Sequence, residues 1–256
     1  CHTYIHTSES WGSQEETGHL RACANVNAAL VLARGGSESR KVNERLSVYI
    51  RREKTMKGFA AFNPVSDPIE NPLWLTAFRE QGFCGVVINC GRDNFHPCHS
   101  FAMDSYRQLA EQGMPAFFEA DNTSPGMTTL EYSRPYLLDE IARNFPSLNM
   151  IIGSMGFPFV YETLCLLKRH PNVYAVLSIE PHRIWQIYNT IISAYEMNVT
   201  DKLLFGSGYP AARPDQCIET LLGFNKLLAD TSLPQVPREK IRSIIERPAL
   251  ELLGID

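Results

Sequence analysis

The sequence predicts an α/β fold, a single-domain (β/α)8 TIM barrel spanning residues 1–256. Three observations carry that expectation. Short apolar runs, rich in β-branched or aromatic residues, alternate strictly with stretches of helical spacing. The runs are continuously apolar rather than alternating, as in parallel strands covered on both faces. They number eight in 256 residues, which is the size of one closed barrel of about 250 residues. No Gly-x-Gly-x-x-Gly follows any of them, which argues against an open nucleotide-binding sheet.

The elements follow in order. Residues 1–5 (CHTYI) are the remnant of a first strand, and 27–33 (NAALVLA), 57–63 (KGFAAFN) and 83–89 (FCGVVIN) read as the next three. Residues 115–119 (PAFFE), 149–154 (NMIIGS), 172–178 (NVYAVLS) and 203–208 (LLFGSG) complete the set. Between them, Tyr106, Leu109 and Ala110 fall at i, i+3 and i+4, with Gly113 as a stop. Leu137, Ile141 and Phe145 recur at four-residue intervals between Pro135 and Pro146. Ile184, Ile187, Tyr188 and Ile191 repeat the pattern, as do Ile218, Leu221, Leu222, Asn225 and Leu228. Residues 238–253 form one strongly amphipathic closing stretch.

Composition excludes several classes. At 44% hydrophobic and 20% charged residues the chain is too apolar for disorder. No apolar run approaches the roughly 18–20 residues of a membrane span. Twenty-four Lys and Arg against 28 Asp and Glu give no electrostatic reason to expect nucleic acid. The basic residues between Arg34 and Lys57 are interleaved with Glu38, Glu44 and Glu53, a solvated helix face. Seven cysteines without a CxxC fit reduced thiols, and with them a cytoplasmic location, better than a disulfide framework. The chain opens on Cys1 rather than Met, so a few preceding residues are expected. The partner expected is a small molecule, with a second copy of the chain as a homodimer.

In such barrels the active site forms at the C-terminal ends of the strands. That rule selects His2 to Ile5, Ala33 and Arg34, Asn63 and Pro64, Asn89 and Cys90, and Glu119 to Asp121. It also selects Ser154, Ser178 with Glu180 and His182, and Ser207 to Tyr209.

Several of these ends carry motifs of a known family. Cys1-His2-Thr3-Tyr4-Ile5 resembles the opening D-C-H-T-H-I of the amidohydrolase superfamily, in its amidohydrolase-related branch. That branch includes aminocarboxymuconate-semialdehyde decarboxylase, aromatic-acid decarboxylases and lactone hydrolases. Gly113-Met-Pro115-Ala-Phe-Phe-Glu119 is similar to G-L-P-V-x-x-H. Phe145-Pro-Ser-Leu-Asn-Met-Ile-Ile-Gly-Ser154-Met-Gly-Phe-Pro158 resembles F-P-x-L-x-x-I-x-x-H-x-G-x-P, and Pro171-Asn-Val-Tyr174 with Ser178 resembles P-N-V-Y-x-D-x-S. Leu204-Phe-Gly-Ser-Gly-Tyr-Pro210 is similar to L-F-G-S-D-Y-P, and Pro248-Ala-Leu-Glu-Leu-Leu-Gly254 to the closing N-A-x-x-L-L-G. Laying Ile5-His6-Thr7-Ser8-Glu9-Ser10 on the opening instead keeps no histidine ligand and leaves too little chain for a helix before Asn27.

The resemblance implies a divalent metal, zinc or manganese, held by His-x-His after the first strand, one His each after the fifth and sixth, and Asp after the eighth. Position by position, His2 remains, but Tyr4, Glu119, Ser154 and Gly208 stand where the other ligands belong. Zinc-type sites need three or four strong ligands, so the sequence predicts a degenerate metal site and no cofactor. Two other readings stay open. In one, Glu119 acts as general acid or base with His2 and Tyr4 as hydrogen-bonding partners, in metal-independent hydrolysis or decarboxylation. In the other, a metal binds through His2 and Glu119 with help from Asp121 or a loop histidine. Substrate contacts are expected from Arg92 and His182, which suit a carboxylate or a polarised carbonyl, and from His96, Asp121, Ser154 and Tyr209. For Ser154 and Tyr209 plain packing competes, and for Asp121 a turn cap. His96, with Cys98 and His99, belongs to the loop after the fourth strand.

Overall fold

The computed structural model describes residues 2–5, 13–36, 38–119 and 128–255. Its strands are β1 (His2–Ile5), β2 (Ala29–Ala33), β3 (Met56–Ala61), β4 (Gly85–Ile88), β5 (Ala116–Phe118), β6 (Met150–Ile152), β7 (Val173–Ser178) and β8 (Leu203–Gly206). They form one sheet in chain order, and every neighbouring pair is parallel. The sheet curls, and an isolated parallel bridge links Thr3 of β1 to Tyr209, just past β8.

The helices of the described residues are α1 (Ser13–Ala22), α2 (Ser39–Arg52), α3 (Asp67–Glu70), α4 (Trp74–Glu80), α5 (Ser100–Glu111) and α6 (Asp139–Asn144). They continue with α7 (Val160–Arg169), α8 (Ile184–Glu196), α9 (Pro214–Leu222), α10 (Arg238–Glu246) and α11 (Ala249–Leu253). None is long and apolar enough to cross a membrane.

Strand periodicity sorts the core into layers. Along β2, Leu30 and Leu32 face the inside of the curl, while Ala29, Val31 and Ala33 face α2. Phe59, Val87, Phe117, Ile151, Val176 and Leu204 fill the same inner core, with Leu253 of α11 and Ile255 packed among them. The outer faces bury the apolar stripe of each helix, as Val42, Leu46, Tyr49 and Ile50 of α2 illustrate. Burial of each such side chain contributes about 1.5–3 kcal/mol. Asn43 fastens α2 to β3. Its Nδ2 donates to the Ala61 carbonyl at 2.9 Å, and the Ala61 N–H donates to its Oδ1 at 2.8 Å.

A buried histidine links β1, α1 and α2. His19 of α1 is fully buried, with Nδ1 at 2.7 Å from the Tyr49 hydroxyl and Nε2 at 2.9 Å from the Thr3 hydroxyl. Burial holds its pKa down at about 4 and pushes the Tyr49 phenol up.

The strands are shorter than the apolar runs, because polar end residues leave the ladder. Asn89 turns its Oδ1 onto the Arg92 N–H, and Ser154 takes left-handed backbone at φ 46°. The closing stretch 238–253 is two helices rather than one. Pro248 has no N–H to continue α10, and Arg247 before it is extended at φ −60°, ψ 132°. The 218–228 stretch likewise ends at Gly223 and continues as a 3-10 turn, Phe224–Leu228. Cys23, Cys84, Cys90, Cys98, Cys165 and Cys217 are free thiols.

Candidate functional site

The strand periodicity that fills the inner core also builds the site. Arg34, Asn89, Glu119 and Ser178 each lie two residues beyond an inner-core residue: Leu32, Val87, Phe117 and Val176. Period two therefore aims all four at the same side of the curl, one layer above the apolar core.

Glu119 is the centre of that layer. Its side chain is 2% exposed; Oε2 accepts two hydrogen bonds, and among the described residues Oε1 has an ion-pair contact without a hydrogen bond. The Arg34 Nε stands 3.4 Å from Oε1. Arg92 Nη1 and Asn89 Nδ2 each donate to Oε2 at 3.2 Å. A buried carboxylate is costly unless paired, and this one is paired from two directions.

Arg92 is itself fixed. Its N–H donates to Asn89 Oδ1 at 2.9 Å, and its Nε donates to Asp93 Oδ1 at 3.3 Å. Burial pushes the Asp93 carboxyl up, against the opposing pull of Arg92. Burial likewise pushes up Asp67. Gly35 makes room for the guanidinium, because a Cβ there would meet Arg92 Nη2 at 2.8 Å. Among the described residues, two arginines thus face two carboxylates, Glu119 and Asp93.

A cavity of about 250 Å³ opens above this layer. Arg34, Glu119, Ser154, Ser178, Ser207 and Gly208 line its polar part, and Met155, Phe157, Val160, Leu177 and Ile187 its apolar part. The Ser154 and Ser178 hydroxyls are hydrogen-bonded at 3.0 Å. Ser154 and Met155 both hold left-handed backbone, at φ 46° and 55°, a conformation that costs a non-glycine residue roughly 1–2 kcal/mol. Gly208 sits at φ 61° and brings no side chain to the rim.

His182, His96 and Tyr209 find other partners than Glu119. Glu180 lines the cavity and pairs with Arg183 Nε at 3.1 Å and with His182 Nε2 at 3.5 Å, but His182 itself is 72% exposed and does not line it. His96 is exposed, accepts from the Cys98 N–H at 3.1 Å and sets its ring edge-on to Tyr132. Tyr209 is half-buried with its ring 5.4 Å from that of His19, outside the cavity lining. His2 and Tyr4 belong to β1, whose backbone register pairs them with Leu30 and Leu32. Asp121 lies outside the described residues. Sequence reasoning marked Arg34 and Asn89 as strand ends but gave them no role; the signal was a polar residue two positions past an inner-core one.

The amidohydrolase family model matches residues 9–255. The chain belongs to the amidohydrolase family. No curated protein is significantly similar to this amidohydrolase-family chain. Solved structures share its fold. An uncharacterized TIM-barrel protein of Bordetella bronchiseptica aligns with a TM-score of 0.69 at 18% identity, over 95% of this chain and 83% of that one. A 2,6-dihydroxybenzoate decarboxylase from Rhizobium aligns with a TM-score of 0.67 at 16% identity, over 99% and 96%. A 5-carboxyvanillate decarboxylase from Novosphingobium aromaticivorans, complexed with manganese and a nitrobenzoic acid, aligns with a TM-score of 0.68 at 13% identity, over 93% and 80%. This amidohydrolase-family protein therefore has a TIM-barrel fold.

A divalent metal needs three or four strong ligands on one centre. Among the described residues, no group of three His, Cys, Asp or Glu side chains is placed to hold an ion. At the positions that the resemblance assigns to ligands, Glu119 is engaged by two arginines, the Ser154 hydroxyl is bonded to Ser178, and Gly208 has no donor. These residues do not fit a divalent metal.

Proposed function

We propose that the chain is a closed (β/α)8 barrel of the amidohydrolase family whose metal centre has been dismantled. On this reading it does not carry out standard metal-dependent hydrolysis, and its mouth binds a small carboxylated ligand. The observation that carries the reading is the engagement of Glu119, at the fifth-strand ligand position, by Arg34 and Arg92. The chemistry of the cavity supports the ligand class. Ser154, Ser178, Ser207 and Arg34 line it together with the apolar Phe157, Val160 and Ile187.

One observation favours a second reading. The cavity is not filled by Met155 or Phe157, although both line it, and the Glu119 carboxylate borders open space. A metal-independent hydrolase or carboxy-lyase using Glu119 and His2 would need that space. The neighbour complexed with manganese keeps a metal-assisted variant of this chemistry as the comparison to beat.

Calorimetric titration with small benzoates and aliphatic monocarboxylates, in the presence of a chelator, tests the proposal. Binding of at least one class with no product released supports the ligand-binding reading. Product release under chelation favours the second reading, and activity that returns only with added zinc or manganese contradicts both.

A further inference from the structure

We infer that Arg34 and Arg92 have taken over the place of the metal ion, with Glu119 as the ligand of a guanidinium pair instead of a metal. The inference rests on the dismantled-centre reading and adds what replaced it.

In a metal-holding barrel mouth the ion ties several strand ends together and supplies positive charge at the floor of the cavity. Here Arg34 comes from the end of β2, Arg92 from the loop after β4, and Glu119 from the end of β5. Their contacts, at 3.4 and 3.2 Å, cross-link those three segments. The carboxylate is 2% exposed, the Arg92 side chain 19% and the Arg34 side chain 32%, so the Arg92 pair is the better shielded from the screening that weakens surface ion pairs.

The supporting geometry is built rather than incidental. Asn89 donates to the same carboxylate oxygen and accepts from the Arg92 N–H, so it fixes both partners at once. Gly35 leaves open the space that Arg92 Nη2 fills. Asp93, on Arg92 Nε, supplies the second negative charge that balances the second guanidinium. A divalent cation brought to Glu119 would have to displace two positive charges, and among the described residues no second carboxylate contacts Glu119 to help hold it.

The test is chemical rescue of the counter-ion. Glu119→Ala empties a carboxylate-sized space between Arg34 and Arg92, and formate is the probe. The variant is expected to melt below the wild type and to recover saturably by about 5–10 °C with formate. Chloride should give a smaller rise, and the Arg34→Met/Glu119→Ala chain should show none. Formate-dependent folding of a variant that is unfolded in plain buffer counts as the same result. No formate dependence, or an equal response without Arg34, overturns the inference while leaving the dismantled-centre reading standing. A parallel arm needs no variant: millimolar zinc or manganese is expected to leave the wild-type midpoint unchanged. A saturable rise there overturns both the inference and the reading beneath it.

Discussion

Arg34 and Glu119 form a 3.4 Å ion pair from the end of the second strand to the end of the fifth, across the mouth of the curled sheet. Two neighbours make the pair a network. Arg92 and Asn89 hold the other carboxylate oxygen, so loss of the negative charge leaves two guanidiniums facing each other with Asp93 as the remaining counter-ion. Glu119→Gln keeps the shape and removes the charge. It is expected to cost about 3 kcal/mol in urea denaturation, the scale for breaking one side of a buried ion pair. A change of under about 0.5 kcal/mol, the usual surface value, would show that the network does not stabilise the fold.

Gly35→Ala perturbs the same network from outside. The new Cβ presses on Arg92 Nη2 and forces it off its seat without touching Glu119. The expected cost is about 1 kcal/mol, and it should shrink in an Arg92→Met background to what the approaches to Ser39 Oγ at 3.2 Å and Ala61 Cβ at 3.3 Å leave. A double-mutant cycle measures this coupling, and an additive result means that Gly35 acts through something other than Arg92.

His19 makes stability depend on acid. Its pKa is about 4 in the folded chain against 6.5 in the unfolded one, because burial disfavours the charged ring. The unfolded state therefore binds the extra proton first. The stabilisation is complete above about pH 6.5 and lost as pH falls from there through about 4, roughly 3 kcal/mol in all. His19→Gln should flatten that part of the stability profile while lowering its plateau, since the bonds to Tyr49 and Thr3 are altered. An unchanged pH slope in the variant would assign the acid sensitivity elsewhere.

Ser154→Ala removes one half of the Ser154–Ser178 bond at the cavity floor. The stability cost should be modest, about 1 kcal/mol. A larger effect is expected on the affinity for a bound carboxylate, read by calorimetry, because the lost hydroxyl lines the cavity.

The fold was legible because its signal is local and repeated. Each run such as 27–33 or 172–178 shows its strand character in half a dozen residues, and the strict alternation with helices does the rest. Boundaries were less legible where one residue changes the backbone, as Pro248 does in the closing stretch and Asn89 at the end of β4. The site divides the same way. Glu119 stood out as a carboxylate ending an apolar strand. Arg92 was expected on substrate rather than on Glu119, and Arg34 and Asn89 had no role, because the meeting of Arg34 with Glu119 depends on the curl of the sheet, a property no local pattern encodes. His19 gave no signal at all, since a polar residue on an amphipathic helix reads as surface until the hydroxyls of Thr3 and Tyr49 are placed against it.

The central claim is that guanidinium has replaced metal at the mouth of this barrel. Metal analysis of the purified wild-type chain, after exposure to zinc and manganese and removal of the excess by dialysis, tests it most directly. The account predicts a negligible fraction of an equivalent of either ion; one equivalent of zinc or manganese retained per chain would contradict it.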